Sequence, residues 1–295
     1  MEPWILITIA AALAQTLRFM AQKQLSLETL SPAGTTLARF LYASPIVAVI
    51  ALSYAAISTQ PLPGINARFL GFGALGGVCQ IAATICVVAL FQRRNFAVGM
   101  AFKKTEVILA AVTSFLLLGE TVSPLGWLGI LVGFVGVLLL SRPPEGGSIF
   151  NRAVALGIAS GVFFSFSAVS YRGATLALEG GDTMLRAGVT LALVTLFQTI
   201  VLSTWLRWRE PGQVRAVITS WRRAIFIGIF SLIGSYCWFA AYHLQNAAYV
   251  NAVGQIELIF SLLASTLFFA ERITVREILG MGILTLSIIV IILAI

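Results

Sequence analysis

Two stretches of this chain place charged or amide side chains inside long apolar runs, and these side chains are the first candidates for chemistry. They are Lys103, Lys104, Glu106, Gln255 and Glu257. A charge in a membrane interior is costly, and it commonly marks a transport pathway or a coupling group. A lysine there could recognise an anionic or carboxylate-bearing solute, or it could neutralise a buried acid. The alternative for Lys103 and Lys104 is that their flexible stems snorkel back to the headgroups.

The two stretches repeat one layout at a constant offset. Three pairs of residues share it: Asn95 with Asn246, Glu106 with Glu257, and Glu120 with Glu271. A duplicated segment with an acid at the same depth in each copy predicts a central site between two related halves. Glu257 has no Lys or Arg within a helical turn, so it needs a proton, water or a partner from another helix. Lys103 and Lys104 are the candidate partners, and a purely structural hydrogen bond is the competing interpretation.

The composition indicates the environment that these side chains occupy. The chain has 295 residues, of which 59% are hydrophobic and 10% charged, and its mean hydropathy is +0.98. Soluble domains carry about 25% charged residues, so the chain is expected to be an integral membrane protein. Long apolar runs without alternation must form helices, because lipid offers no partner for backbone polar groups. No Lys or Arg precedes the first run, so we expect no cleavable signal peptide.

Ten apolar segments can be counted, at residues 3–22, 33–56, 69–91, 96–118, 123–141, 152–172, 183–206, 222–244, 247–269 and 276–295. The connection at residues 142–151 leaves five segments on each side. An odd number of spans in each half makes the second copy enter the membrane upside down, which is the plan of many secondary transporters. The sequence therefore predicts an all-α polytopic membrane protein with ten transmembrane helices, arranged as two inverted five-helix repeats at residues 1–145 and 146–295.

Loop charges predict the orientation of these spans. Most Arg and Lys residues lie in the connections 1–2, 3–4, 5–6, 7–8 and 9–10, whereas the opposite connections and both termini carry few. The positive-inside rule places basic loops in the cytoplasm. We therefore expect a multi-pass protein of the cell inner membrane with both termini outside. The same distribution accounts for the formal net charge of +8, and no nucleic-acid partner is expected.

Other polar and aromatic side chains within the spans could line a central cavity. The candidates are Gln80 and Thr84 in span 3, Tyr236 and Trp238 in span 8, and Asn251 in span 9. Gln80 and Thr84 are four residues apart and therefore share a helix face. Ordinary packing and an interfacial aromatic belt are the competing interpretations. Arg39 and Arg186 lie near the starts of spans 2 and 7, so snorkelling or anchoring is expected of both.

No pattern for catalysis or cofactor binding occurs in the sequence. It contains no P-loop, no G-x-S-x-G, no H-E-x-x-H and no Cys-x-x-Cys. The single histidine, His243, has no carboxylate or cysteine at metal-ligand spacing, and the three cysteines lie in apolar segments. We therefore expect neither an enzyme nor a bound metal or cofactor.

Residues 103–140 and 254–293 resemble the signature half-domain of the drug/metabolite transporter superfamily, of the EamA type. In each, an apolar helix is followed by a turn ending in glutamate and by a further apolar helix; the turns are Leu118-Gly119-Glu120 and Phe269-Ala270-Glu271. The resemblance implies a basket of ten helices with spans 5 and 10 peripheral and a cavity lined by the others. Many members place a proline after the mid-helix acid and have cytoplasmic termini. This chain has Val107 and Leu258 at those positions, and its loop charges point the other way.

The leading interpretation is a secondary transporter that moves small organic metabolites, such as amino acids or related compounds, by alternating-access export or exchange. Its partners would be a small-molecule substrate, the lipid bilayer and, as a further hypothesis, a coupling proton. A single chain supplies both repeats, so a monomer is consistent with this plan. The alternative is an anion exchanger for phosphorylated or nucleotide-linked sugars, and a second alternative is a membrane-embedded enzyme acting on a lipid-linked substrate.

Overall fold

The structure is a computed structural model, and it describes residues 2–92, 103–140, 152–260, 263 and 275–294. This part of the chain contains eleven α-helices. The first half contributes α1 (Pro3–Glu28), α2 (Pro32–Ile57), α3 (Ala67–Phe91), α4 (Glu106–Leu118) and α5 (Pro124–Leu140). The second half contributes α6 (Arg152–Ala177), α7 (Thr183–Arg209), α8 (Gln213–Thr219), α9 (Trp221–Leu244), α10 (Ala247–Gly254) and α11 (Val275–Leu293).

Length and composition allow six of these helices to cross a membrane, namely α1, α2, α3, α6, α7 and α9. Four shorter apolar helical stretches correspond to the remaining predicted spans. The described helix count therefore exceeds the ten predicted spans by one. The addition is α8, whose seven residues are too few to cross the membrane. It follows Gly212, which adopts the left-handed conformation (φ 94°) at the helix start.

Local sequence accounts for where several helices begin. Proline occupies the first positions of α1 and α2, where its missing N–H costs nothing. The side chains of Ser31, Asn66 and Asp182 each accept a hydrogen bond from a backbone N–H in the first turn of α2, α3 and α7. These capped starts confirm that the chain alternates between long helices and short polar connections.

The contacts between the two halves are symmetric: each contact between two helices has an equivalent contact between their counterparts. Helix α1 packs on α9, and its counterpart α6 packs on α3. The pairs α2 with α7, α5 with α11, and α4 with α10 each join a helix to its own counterpart. A twofold relation between five-helix units produces this set of contacts. Each unit leaves large apolar side chains exposed for lipid, including Leu116 and Leu279 at 68% and 58% exposure.

Helices α5 and α11 form a separate peripheral pair. A Cβ atom added at Gly129 or Gly133 would lie within 2.6 Å of an atom of Ile291 or of Ser287 on α11. Gly136 approaches the backbone of α11 directly. The small residues therefore let the two helices pack closely, which leaves the other helices to enclose the centre of the bundle.

Candidate functional site

The first charged stretch lies at an interruption of helical hydrogen bonding. Lys104 and Thr105 form a turn directly before α4, and Glu106 is the first residue of that helix. The N–H of Val107 donates to the carbonyl of Lys104 at 3.4 Å, a bond between residues three apart rather than four. The helix dipole stabilises a carboxylate in this first turn. The interruption therefore presents Lys103 and Glu106 at the centre of the bundle.

The second charged stretch has the same interruption at the matching place. α10 ends at Gly254, Gln255 and Ile256 form a turn, and helical conformation resumes at Glu257. The N–H of Leu258 donates to the carbonyl of Gln255 at 2.9 Å, again between residues three apart. Broken helices of this kind line the substrate sites of many transporters. Both breaks form without proline, directly before the acid.

The breaks bring the charged residues of the two halves into one buried cluster. Lys103 Nζ lies 3.2 Å from Glu106 Oε1 and 3.6 Å from Glu257 Oε1. Lys104 Nζ forms an ion pair with the same Oε1 atom of Glu257. Gln15 of α1 donates a hydrogen bond of 2.5 Å to Glu257 Oε2. Both lysines are 1% exposed, so the predicted partnership of Glu257 with the lysines is confirmed and the snorkelling alternative is wrong.

A pocket with about 550 Å³ of space free of protein atoms adjoins this cluster. Side chains from both halves line it, including Gln15, Gln80, Lys103, Tyr171, Asn251 and Glu257. Aromatic rings of α6 and α9 form much of the remaining wall. Ligand pockets of small molecules commonly combine an apolar wall with a few convergent polar groups. The pocket has the lining of a small-molecule site.

Three polar atoms of the pocket lining have no hydrogen-bond partner within the described part of the chain. They are Ser167 Oγ, Gln255 Oε1 and Trp238 Nε1. The amide nitrogen of Gln255 donates to the carbonyl of Asn251 at 3.0 Å, which leaves the amide oxygen as an acceptor. Gln255 is 4% exposed, and burying a polar group without a partner is costly. The N–H of Trp238, the amide oxygen of Gln255 and the hydroxyl of Ser167 can thus bond a polar solute in the pocket.

Seven of the ten predicted site residues line this pocket, and three do not. Lys104 lies behind the lining, where its ammonium pairs with Glu257 and borders a smaller apolar cavity against α5. Thr84 accepts a hydrogen bond from Arg39 at 3.0 Å. Tyr236 donates to the carbonyl of Met184 at 2.8 Å. The seven lining residues are Gln80, Lys103, Glu106, Trp238, Asn251, Gln255 and Glu257.

The expectation of snorkelling for Arg39 is wrong. Arg39 is 3% exposed. The short helix α8 packs over the start of α2, where Gln213 Oε1 accepts a hydrogen bond from the N–H of Ser31 at 3.1 Å. The Arg39 guanidinium donates to hydroxyl groups of α3 and α9 inside the bundle. Arg186, its counterpart in the second half, bonds the carbonyls of Gly180 and Gly181 at the start of α7, as an anchoring residue does.

Some residues of the pocket were not predicted from the sequence. They carry no charge, or they lie in a span without an obvious motif. Gln15 and Ser235 line the pocket, as does Tyr171, whose hydroxyl donates to Gln80 Oε1 at 2.7 Å. Arg18 is 2% exposed and donates to Gln22 and Gln15 within α1. The spacing of Gln15, Arg18 and Gln22 at three and four residues is the signal that could have identified a polar face on α1.

One end of the bundle is joined by polar contacts between the connections α2–α3 and α6–α7. Gly64 and Glu179 form an antiparallel β-bridge with hydrogen bonds of 2.8 and 3.2 Å. Tyr54 and Gln60 donate to Asp182 Oδ2 at 2.6 and 3.0 Å. Slight burial raises the pKa of Asp182. These hydrogen bonds, together with one from the N–H of Leu185, lower it by a larger amount, so the pKa of Asp182 lies below its ordinary value.

An ion pair between Arg172 and Glu120 forms a second anchor at the same end. Arg172 of α6 binds the Glu120 carboxylate at 2.8 Å and also donates to the carbonyls of Tyr242 and Gln245, at 2.6 and 2.7 Å. It thereby ties α6 to the ends of α4 and α9. The corresponding Glu271, like Asn95 at the start of span 4, lies outside the described residues.

The chemistry of this site is binding through charge and hydrogen bonds. Within the described ranges, no group of three or more His, Cys, Asp or Glu side chains could hold a metal ion. A helical bundle with a lipid-facing apolar surface and a buried polar pocket between two related halves defines a polytopic membrane transporter.

The chain belongs to the EamA-like transporter family, whose model matches it twice, at residues 2–142 and 151–293. This membership is consistent with the drug/metabolite transporter superfamily and points to a transporter rather than an enzyme.

Two relatives agree with this assignment, and one solved structure shares the fold. An uncharacterized transporter of Archaeoglobus fulgidus is 24% identical over 295 residues, which cover 99% of each chain. The uncharacterized transporter YvbV of Bacillus subtilis is 26% identical over 187 residues, covering 62% of this chain and 58% of that protein. A solved crystal structure superposes with a TM-score of 0.72 at 16% identity, covering 98% of this chain and 96% of the other. At that identity the likeness concerns the fold alone.

Proposed function

We propose that this protein is a secondary transporter that moves a small organic metabolite, such as an amino acid or a related compound, by alternating access through the central pocket. The observation that carries the proposal is the pocket that side chains of both halves line, with the unpaired Gln255 Oε1 and Trp238 Nε1 in its wall. A site formed by two related halves can be exposed to either side when one half rocks against the other.

The proposed setting is the cell inner membrane, with both termini outside. The loop charges support this orientation. Export or exchange is the proposed direction of movement, and a protein unit of one chain suffices because both repeats belong to it. Accessibility of an N-terminal tag to a protease in spheroplasts, whose outer membrane is opened, tests the orientation, and a protected tag would contradict it.

The test of transport is counterflow in proteoliposomes, with a panel of labelled amino acids and other small metabolites inside and outside the vesicles. Replacing Trp238 by Phe keeps an aromatic ring but removes the unpaired N–H donor. We expect this variant to exchange the active solute with at least about a tenfold higher half-saturation concentration, the effect of one well-placed hydrogen bond of 1.4 kcal/mol.

Trp205→Phe is the matched control, because Trp205 is 40% exposed and does not line the pocket. Exchange of no panel solute by the wild type, or equal kinetics of the two variants, would contradict the proposal. The same vesicles test the coupling proton. If Glu257 carries it, Glu257→Gln keeps counterflow but loses accumulation driven by a pH gradient.

The second candidate is the exchange of phosphorylated or nucleotide-linked sugars. The buried charged residues of the described chain are four cations, Arg18, Arg39, Lys103 and Lys104, and two carboxylates, Glu106 and Glu257. This excess of positive charge favours a solute with an anionic group. The phosphorylated sugars therefore belong in the same counterflow panel.

A further inference from the structure

Arg39 is a buried cation that has no acidic partner in the described structure. Its guanidinium donates to three hydroxyl groups: Nε to Ser231 at 2.9 Å, one terminal nitrogen to Thr84 at 3.0 Å, and the other to Ser235 at 3.2 Å. These hydroxyls come from α3 and α9. By contrast, both lysines of the charged cluster are paired with carboxylates. Arg39 is therefore, like Arg18 of α1, a buried arginine without an ion pair in the described part of the chain, and its guanidinium is bonded to hydroxyl groups alone.

The hydroxyl groups around Arg39 keep their own hydrogens for a further hydrogen bond. Each accepts a hydrogen bond from the guanidinium and keeps its own O–H. None of Thr84, Ser231 and Ser235 donates to another described residue. A guanidinium also has five N–H groups, of which three are used here. The cluster thus offers several donors and one positive charge.

The cluster reaches the pocket through Ser235. Ser235 is 5% exposed and lines the pocket next to Trp238, whereas Ser231 and Thr84 lie behind the wall. Gln80, which precedes Thr84 by one helical turn, lines the pocket as well. A solute in the pocket can therefore contact the hydroxyl of Ser235 while the positive charge of Arg39 stands directly behind it.

We propose that Arg39, with the hydroxyl of Ser235, is an anion-binding subsite of the central pocket, and that it takes a carboxylate of the transported solute. This inference rests on the proposed function and narrows its substrate class to small organic anions. Buried charges are normally paired, and a solute carboxylate would supply the missing counter-charge. Ser235 O–H donates to the carboxylate, and the guanidinium strengthens this donor.

The subsite is tested by binding, so that its outcome does not depend on transport. The purified protein in detergent is titrated with acetate, succinate and inorganic phosphate at constant ionic strength against chloride, and in a further arm with phosphatidylglycerol. The readout is the midpoint of thermal unfolding. We expect acetate and succinate to raise the midpoint of the wild type and phosphate and lipid to leave it unchanged.

Two serine variants separate a ligand role from a structural one. Ser231→Ala and Ser235→Ala each remove one acceptor of Arg39, but only Ser235 lines the pocket. We expect Ser235→Ala to weaken succinate binding about tenfold or more and Ser231→Ala to weaken it by less than about threefold. Arg39→Gln should abolish the shift, and Arg39→Lys, which keeps the charge, should retain part of it.

Several results would overturn the subsite. They are the absence of any shift by carboxylates in the wild type, a shift by phosphate or lipid alone, equal behaviour of the two serine variants, and an undiminished shift in Arg39→Gln. A wild type that binds succinate at Arg39 but exchanges no solute in vesicles would contradict the transport function while leaving the subsite in place.

Discussion

Glu257 is the carboxylate on which both lysines of the opposite half converge. Its Oε1 pairs with Lys104 and lies 3.6 Å from Lys103. Removing one partner of a buried pair leaves an uncompensated charge and costs roughly 3–5 kcal/mol, whereas removing both eliminates the charge as well. We therefore expect Glu257→Gln or Lys104→Gln alone to lower the stability by about this amount, and the double variant to cost clearly less than the sum.

Thermal or denaturant unfolding of the four proteins in the same detergent measures this coupling. Glu28→Gln is the control, since it breaks the ion pair with Arg223 at the surface, where the side chains are 39% and 67% exposed. An exposed pair contributes about 0–1 kcal/mol. Additive losses in the double variant would contradict a direct Lys104–Glu257 pair.

For individual residues, the sequence predicted that the acids and lysines would meet in a central site, but it did not predict that Arg39 is buried behind the pocket. A charge deep inside an apolar run stands out in any reading, because lipid tolerates it only with a partner. Arg39 is close to the start of its span, where a headgroup is normally within reach. Its guanidinium is buried against hydroxyl groups of α3 and α9, which lie 45 and more residues away along the chain. Such contacts between distant segments have no local signature.

Among the elements, the α5–α11 pair depends on glycine for its close approach. A Cβ at Gly136 would lie 2.9 Å from the backbone nitrogen of Leu284 and 3.1 Å from the carbonyl oxygen of Gly280. Backbone atoms cannot rotate away, so the helices must separate. We expect Gly136→Ala to lower the free energy of unfolding by roughly 1–2 kcal/mol, because the overpacking penalty of about 1–3 kcal/mol exceeds the gain in helix propensity.

Gly282→Ala is the matched control on the partner helix. A Cβ at Gly282 would meet no atom within 4 Å. This substitution keeps only the propensity gain of about 0.5–1 kcal/mol, so its unfolding midpoint should equal or exceed that of the wild type. A Gly136→Ala protein as stable as the wild type would show that the two helices can move apart without a loss of free energy of unfolding.

Helix identity was predictable for the apolar spans, but the interruptions before Glu106 and Glu257 were not. The long spans follow from hydropathy and from the need to satisfy the backbone in lipid. The breaks contain no proline, and each consists of one turn in which residues three apart bond instead of four. The energy difference between such turns is small, so packing around the charged cluster decides it. The duplicated position of the acids nevertheless indicated where the two halves would meet.

At the scale of the whole molecule, the two halves are related by a twofold axis, and each end of the bundle is formed by connections from both halves. At one end the connection α2–α3 is bridged to α6–α7 through Gly64 and Glu179. Each of these connections belongs to a different half. If the halves rock about a central axis, this bridge must open whenever the pocket is exposed to that end. A covalent link across it should therefore stop the cycle.

Gly64 and Glu179 suit a reversible disulfide. They face each other as a hydrogen-bonded antiparallel pair, in which Cα atoms are about 5.5 Å apart, within the usual disulfide range of roughly 4.4–6.8 Å. A Cβ at Gly64 would lie 3.4 Å from the Cβ of Glu179. We expect the Gly64→Cys, Glu179→Cys protein, in a background without Cys79, Cys86 and Cys237, to lose at least about nine-tenths of its counterflow on oxidation and to regain it on reduction.

The two single-cysteine variants serve as controls, because they undergo the same oxidation but cannot form the link. Mass spectrometry of the unreduced protein establishes the extent of bridging, so that residual counterflow can be compared with the unbridged fraction. Thermal stability of the oxidised form should rise, since a cross-link restricts the unfolded chain. Full counterflow in a completely bridged protein would mean that this end stays closed throughout transport, and the rocking of one half against the other would then have to be abandoned for this chain.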